Sequence, residues 1–257
     1  MKIATWNVNS IRVRLPQVLA WLEKENPDVL CLQETKITDE EFPTAALREA
    51  GYRAVYAGQK TYNGVATLSR APAEDIVSAL PGAAGDQKRL LAATVGGMRV
   101  INVYIPNGEE VGSEKYSYKL SWLKALEKFI ARELKSHPRL ALLGDYNVAP
   151  EARDVHDPKR WEGRVLFSDK ERAAFQRLIR HGLADVFRQF DQPEKCFSWW
   201  DYRAGAFQRN HGLRIDHILC SPRLAEACRG CRIDIEPRRH ERPSDHVPVI
   251  AEFGVTP

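Results

Sequence analysis

The sequence predicts an α/β protein whose sheets are mixed rather than purely parallel. Three observations carry that prediction. Short apolar runs alternate with amphipathic stretches from end to end, the mark of strand–helix–strand units. One pair of runs is joined through Gly96-Gly97 as a hairpin, which a purely parallel sheet would not contain. And 257 residues with 44% hydrophobic content supply one sizeable core, near the size at which a single core stops growing, so one domain over residues 1–257 is expected.

Taken in order, the strand-like runs are Lys2–Trp6, Asp28–Leu32, Tyr52–Ala57, Gly64–Ser69, Leu90–Val95, Arg99–Ile105 and Leu140–Leu143. Later runs are Cys196–Trp200, Leu213–Leu219, Arg232–Ile235 and Val247–Phe253. Leu15, Val18, Leu19 and Leu22 follow the i, i+3, i+4, i+7 spacing of an amphipathic helix. Leu123, Leu126, Ile130 and Leu134 do the same within a longer helix that begins near Ser113 and stops before Pro138. A third helix is expected over about Asp169 to Arg180, ended by Gly182. Residues Pro150 to Ser168 form the one long irregular stretch, and loops of that length often carry function.

Composition excludes several classes. Charged residues are 28% and the formal net charge is +4, which is wrong for a disordered acidic or basic tail and says nothing against nucleic acid. No run of 18 apolar residues exists, so no membrane span is expected, and Met1 to Pro16 lacks the apolar stretch of a signal peptide. Five Cys, an odd number in a chain this long, suit a reduced, cytoplasmic protein better than a disulfide scaffold.

The informative residues stand at the strand ends. The first run leads into Trp6-Asn7-Val8-Asn9 and the second into Gln33-Glu34-Thr35. The return strand of the hairpin ends Tyr104-Ile105-Pro106-Asn107, and the central run ends Gly144-Asp145-Tyr146-Asn147. Arg214-Ile215-Asp216-His217 and Ser244-Asp245-His246 begin or precede late strands. Ligands of α/β sheets gather beyond strand ends at one rim, so these clusters could share one cleft. Glu34, Asp145, Asp245, Asn7 and Asn147 offer the hard oxygens that Mg²⁺ or Mn²⁺ prefers. Asp216 could fix the tautomer of His246, and Tyr104 could donate to a phosphoryl oxygen. Metal, a carboxylate to activate water and donors around an anion are what phosphoester hydrolysis requires. Taken singly, each Asp or Asn after a strand is as readily a turn or helix-cap residue. A turn does not ask for carboxylate, amide, phenol and imidazole together.

At these residues the chain resembles the exonuclease III branch of the endonuclease/exonuclease/phosphatase superfamily, Mg²⁺-dependent DNA repair enzymes acting at abasic sites and blocked 3′ ends. The resemblance runs through WNVNS, LQETK, YNGVATLSR (at Asn63), VYIPNG, LLGDYNVAP, FSWWDYR, GLRIDHIL and RPSDHVPV, in family order over essentially the whole chain. It implies a four-layered α/β sandwich, two mixed β-sheets packed face to face with helices outside. It implies that Glu34 binds the divalent metal with Asn7 and Asp245 in or beside its shell, and that Asp145, Asn147 and His246 are metal residues as well. Asp145 would position and deprotonate the attacking water, Asn147 and Tyr104 would donate to the phosphate, and His246 held by Asp216 would bind it. Asn9, Asn63 and Asn107 would contact the substrate backbone, and Trp199, Leu213 and Ile215 would wall a pocket for a flipped-out abasic sugar. The implied partner is double-stranded DNA, the cofactor Mg²⁺ with Mn²⁺ able to substitute, and the state a monomer.

Two features stay open from residues alone. Residues 197–207 hold Phe197, Trp199, Trp200, Tyr202 and Phe207, and Arg203 to Arg242 carries nine Arg, no Lys and five carboxylates. These read either as a stacking and phosphate-binding surface or as a core strand with solvated ion pairs. Cys228-Arg-Gly-Cys231, with Cys220 and His217 nearby, is a weak zinc pattern, and free thiols are the default. Competing functions are another branch of the superfamily (a nonspecific DNase or a phosphoinositide phosphatase) and an inactive DNA-binding module. The other branches carry His where Tyr104 stands; an inactive module would have lost one of Glu34, Asp145, Asn147, Asp216 or His246.

Overall fold

The computed structural model describes residues 1–254. Twelve strands form two mixed six-stranded sheets. The first sheet contains β1 (Lys2–Asn7), β2 (Val29–Gln33), β3 (Arg53–Ala57), β4 (Val65–Ser69), β11 (Cys228–Ile233) and β12 (Val249–Phe253), ordered β11-β12-β1-β2-β4-β3. The second contains β5 (Ala73–Val77), β6 (Leu90–Val95), β7 (Met98–Tyr104), β8 (Leu140–Asp145), β9 (Ala184–Asp185) and β10 (Asp216–Cys220), ordered β5-β6-β7-β8-β10-β9. Each sheet has one parallel pair, β1 with β2 and β7 with β8. A parallel pair needs a crossover, and the crossovers are α1 (Ile11–Glu25) and α3 (Glu114–Ser136).

Alternation along the strands builds the layers. In β8, Leu140 and Leu142 face α3 and α5 (Asp169–Arg180), packing on Trp122, Leu126, Ile130, Phe175 and Leu178. Ala141 and Leu143 face the other way, into a core shared by both sheets with Ile3, Val29, Val100, Ile218 and Val249. In β1, Ala4 and Trp6 pack under α1 on Val18, Trp21 and Leu22. Four layers result, as the sequence resemblance implied: helices, sheet, sheet, helices. A buried polar bridge crosses the shared core, where Gln33 Nε2 donates to Thr5 Oγ1 and to Asn102 Oδ1, and Asn102 Nδ2 donates to the carbonyls of Leu32 and Ala66.

Local chemistry sets the boundaries. The β6–β7 hairpin turns at Gly96 and Gly97, both at positive φ, with Val95 opposite Met98. Ser113 caps α3, its Oγ accepting from Tyr116 N, and Ser168 with Glu171 forms a capping box on α5.

Several boundaries differ from the sequence reading. Cys196–Trp200 is not a strand: only Trp199 forms isolated bridges, to Leu213 and His246, because Phe197 and Trp200 bury in a separate cluster with Val247. The run at 213–219 pairs as a strand only from Asp216, and β11 starts at Cys228, four residues earlier than expected. Edge strand β5 has three exposed residues and no apolar alternation to reveal it. The short helices α2 (Thr44–Glu49), α4 (Pro158–Trp161) and α6 (Pro222–Glu226) are too brief for periodicity to show. Among the described residues no helix is long and apolar enough to cross a membrane.

Candidate active site

Topology explains why the polar clusters meet. The parallel pairs place the C-terminal ends of β1, β2, β7 and β8 at one rim. β12 and β10 run antiparallel to β1 and β8, so their beginnings reach the same rim. Register does the rest: Asp145 stands opposite Tyr104 on one side and Asp216 on the other. Gly144 permits this approach, because a Cβ there would lie 1.9 Å from the Val103 carbonyl oxygen. Glu34 and Asn147 both adopt the left-handed region, at φ 50° and 49°. Asn tolerates that conformation; for Glu34 it is strain on the order of 1–3 kcal/mol, of the kind that clusters at functional sites.

Asn7 ties the two sheets together at this point. Its Nδ2 donates to Glu34 Oε1 at 2.9 Å and to Asp145 Oδ2 at 2.8 Å. Asp145 is 1% exposed, and its Oδ1 accepts from Asn147 N at 2.9 Å. Burial pushes the Asp145 carboxyl up, with Asp216 and Glu34 adding to the effect and His246 and Asn7 opposing it. His246 receives the opposite treatment. Burial pulls its imidazole down, but Asp216 and Asp145 outweigh that and hold it protonated. Its Nδ1 lies 2.9 Å from Asp216 Oδ2, and its Nε2 lies 3.7 Å from Asp145 Oδ2. Tyr104 is nearly buried over the same floor, and burial beside Glu34 and Asp145 pushes its phenol well above the usual range. It is therefore a proton donor at any ordinary pH. Arg89 stacks on its ring at 4.5 Å.

One oxygen or nitrogen each from Glu34, Asp145 and His246 falls within 4.8 Å of the others. Two hard carboxylates this close, Asp145 buried and Glu34 partly exposed, repel each other, and a small divalent cation relieves that repulsion. The two carboxylates therefore fit a metal ion, with the charged imidazole beside it rather than on it.

The other expected residues are placed less uniformly. Asp245 does not join the cluster: its Oδ1 accepts from Asn9 Nδ2 and its Oδ2 from Trp199 Nε1, each at 3.0 Å. Asn147 Nδ2 donates to the Ile105 carbonyl at 3.0 Å and more weakly to Asp145 at 3.3 Å, while its Oδ1 accepts from Asn107 Nδ2. Asn63, with its amide on Gln59, and Asn107 line an adjoining cleft of about 460 Å³ with Tyr62, Arg89 and Lys115. Leu213 and Ile215 are 0% and 1% exposed, packed behind Trp199 with Trp161 and Val165, so neither presents surface to a ligand here. Arg214 is equally hidden, in ion pairs with Asp154 and Asp185, which removes it from any phosphate-binding surface. Tyr202 remains half exposed, its hydroxyl donating to the Pro243 carbonyl. His217 turns from the site, its Nε2 on the Val148 carbonyl and its ring edge-on to Tyr146 and Phe175.

Two neighbours were missed by sequence reasoning. Lys36 Nζ sits 2.9 Å from Glu34 Oε2 and also donates to Asn9 Oδ1; its place two residues after Glu34 in the LQETK stretch was the available signal. Ser198 Oγ donates to Asp216 Oδ2 at 2.7 Å and accepts from the Ile215 and Asp216 amides. It was hidden inside an aromatic run that drew attention to its neighbours.

A four-layered sandwich with paired carboxylates, a charged imidazole, a protonated phenol and carboxamides at one rim defines a metal-dependent phosphoester hydrolase. The chain belongs to the Endonuclease/Exonuclease/phosphatase family, whose pattern matches residues 4–246. It is 39% identical to exodeoxyribonuclease III of Haemophilus influenzae, over 98% of this chain and all of that one. Among solved structures it superposes on a Neisseria 3′ phosphatase, NExo, bound to a product DNA hairpin, with TM-score 0.97 and 50% identity over 99% of this chain and all of that one. An AP endonuclease from Archaeoglobus fulgidus gives TM-score 0.96 at 42% identity, over 99% of this chain and all of that one.

Proposed function

We propose that this hydrolytic nuclease is a DNA repair enzyme cleaving phosphoesters at abasic sites and blocked 3′ ends of duplex DNA, with Mg²⁺ as cofactor and Mn²⁺ able to replace it. The observation that carries the reading is the meeting of the Glu34 and Asp145 carboxylates with the charged His246 imidazole within 4.8 Å, the imidazole held by Asp216. The named activities of the relatives support the choice of DNA.

Glu34 and Asp145 would hold the ion, which supplies charge stabilisation at a phosphoryl oxygen. Asp145, fixed by Asn7 and the Asn147 amide, accepts the proton of the attacking water. His246, with Nδ1 engaged by Asp216, presents Nε2–H to a phosphoryl oxygen, and its positive charge follows the developing negative charge. Tyr104, beside Glu34 and Asp145, donates to the phosphate as well. Asn147 exchanges its weak 3.3 Å contact with Asp145 for a phosphoryl oxygen. Asn9, Asn63 and Asn107 meet the flanking backbone.

The test is the purified protein on four end-labelled duplexes, carrying an abasic site, a 3′-phosphate, a 3′-phosphodiester block and a plain recessed 3′ end. Cleavage of at least one is expected, lost after exhaustive EDTA treatment and restored by Mg²⁺ or Mn²⁺. Full activity in EDTA, or no activity on any duplex with either ion, overturns the reading.

The structure sharpens what Trp199 does. Its indole N–H anchors Asp245, so Trp199→Phe keeps an aromatic wall and removes one charge-assisted hydrogen bond. Such a bond is worth ~1.5–3 kcal/mol, so kcat/KM should fall roughly tenfold to a hundredfold on abasic and 3′-phosphate substrates alike. Trp199→Ala also deletes the wall and should weigh further on the abasic duplex. Wild-type kcat/KM in Trp199→Phe on both substrates would show that the Asp245 contact has no functional part.

A further inference from the structure

Lys119 stands in the second turn of α3 with no solvent exposure. Its Nζ donates to the Asn107 carbonyl at 3.0 Å, to the Asn147 carbonyl at 2.6 Å and to Glu171 Oε1. Glu171 is equally buried, and Oε1 also accepts from Leu166 N while Oε2 accepts from Ser168 N and Ser168 Oγ. One ammonium thus fastens the turn after β7, the turn after β8 and the end of the long loop. Gly108 lets the first turn lie on the lysine stem, since a Cβ there would come within 3.1 Å of Lys119 Cδ. The two carbonyls belong to the residues whose side chains interlock above, Asn107 Nδ2 donating to Asn147 Oδ1 at 3.1 Å. Burying an ion pair rarely adds stability over apolar packing, so its placement under these two residues calls for another reason.

We propose that Lys119 is a positioning residue, whose ammonium fixes the backbone of Asn107 and Asn147 and so aims their carboxamides at the phosphoester. Glu171 neutralises the ammonium and extends the restraint to the 166–168 turn. The proposal rests on the reading of Asn147 as a donor to the phosphoryl oxygen. Displacing such a donor by an ångström can cost up to about 10²-fold in rate with little effect on binding.

The experiment is a double-mutant cycle read with melting curves. Lys119→Met/Glu171→Gln removes both charges together and leaves no buried ion unpaired. Its kcat on the best-cleaved duplex should fall about tenfold to a hundredfold, with KM within about threefold and Tm nearly unchanged. In an Asn147→Ala background the same pair should cost less than about threefold more, because the residue it positions is gone. Glu171→Gln alone keeps the ammonium on both carbonyls and should retain kcat within about threefold. Multiplicative losses in the cycle, an unimpaired paired variant, or an equal loss in Glu171→Gln would each overturn the positioning role. If Asn147→Ala itself keeps wild-type kcat, the donor reading fails and this proposal with it; an impaired Asn147→Ala with a multiplicative cycle sinks this proposal alone. Should the first pair not fold, Lys119→Gln/Glu171→Gln takes its place, and unfolding of both would make the ammonium a requirement of the fold and overturn the proposal.

Discussion

Asp145→Asn is expected to abolish turnover while leaving duplex binding nearly intact. The carboxylate ends β8 of the second sheet and is tied to the first through Asn7 Nδ2, while the Asn147 amide fixes its other oxygen. The substitution preserves shape and keeps an oxygen for the Asn147 amide. It removes the proton acceptor, and it turns an NH₂ toward Asn7, which already donates there. Loss of a general base is typically worth ~10²–10⁴ in rate. Phosphate and groove contacts lie elsewhere, on His246, Tyr104 and the flanking Asn residues, so affinity has little reason to fall. The measurement is single-turnover cleavage under metal saturation beside fluorescence anisotropy on the same labelled duplex. A variant retaining more than about a tenth of wild-type kcat would exclude Asp145 as the base.

Much of this site could be read from residues because strand ends and polar clusters coincide in sequence. Apolar runs marked ten of the twelve strands, and polar residues at the ends of four runs and the starts of two marked the rim. Side-chain pairing was less legible. Asp245 stands next to His246 in sequence and carries the right ligand atom, yet Asn9 and Trp199 engage both its oxygens and draw it off the cluster. Sequence neighbours on an extended segment point in opposite directions, and no composition rule says which joins Glu34 and Asp145. The aromatic run at 197–202 shows the same limit. It was equally a stacking surface or a core strand, and the structure divides it: Phe197 and Trp200 are core, while Trp199 and Tyr202 face the rim side. Lys119 was invisible for a different reason. A lysine in an amphipathic helix reads as solvated, and only three-dimensional closure of two turns over it makes burial possible.

His246→Asn and Asp216→Asn should each cut kcat by roughly 10²-fold or more, and the double variant should be little worse than the worse single one. The reason lies in how the pair is built. Asp216 is fully buried, and its Oδ2 takes both His246 Nδ1 at 2.9 Å and Ser198 Oγ at 2.7 Å. Ser198 is itself fixed by the Ile215 and Asp216 amides, so the carboxylate has one orientation and the imidazole follows it. With Asn at 216 the neighbour of Nδ1 is neutral, and the largest of the charges that oppose burial of the imidazole is lost. The orientation and much of the charge preference of His246 go with it, and the transition state loses that much stabilisation. Deleting the imidazole afterwards removes a group already disabled, which is why the losses should not multiply; residues acting as a unit are grossly non-additive. Ser198→Ala gives a graded check, since it loosens Asp216 without removing its charge and should cost only about tenfold, the worth of one charge-assisted hydrogen bond. Multiplicative losses in the Asp216–His246 cycle would show two independent contributions, and the imidazole would then owe its charge to Asp145, 3.7 Å away on the other side.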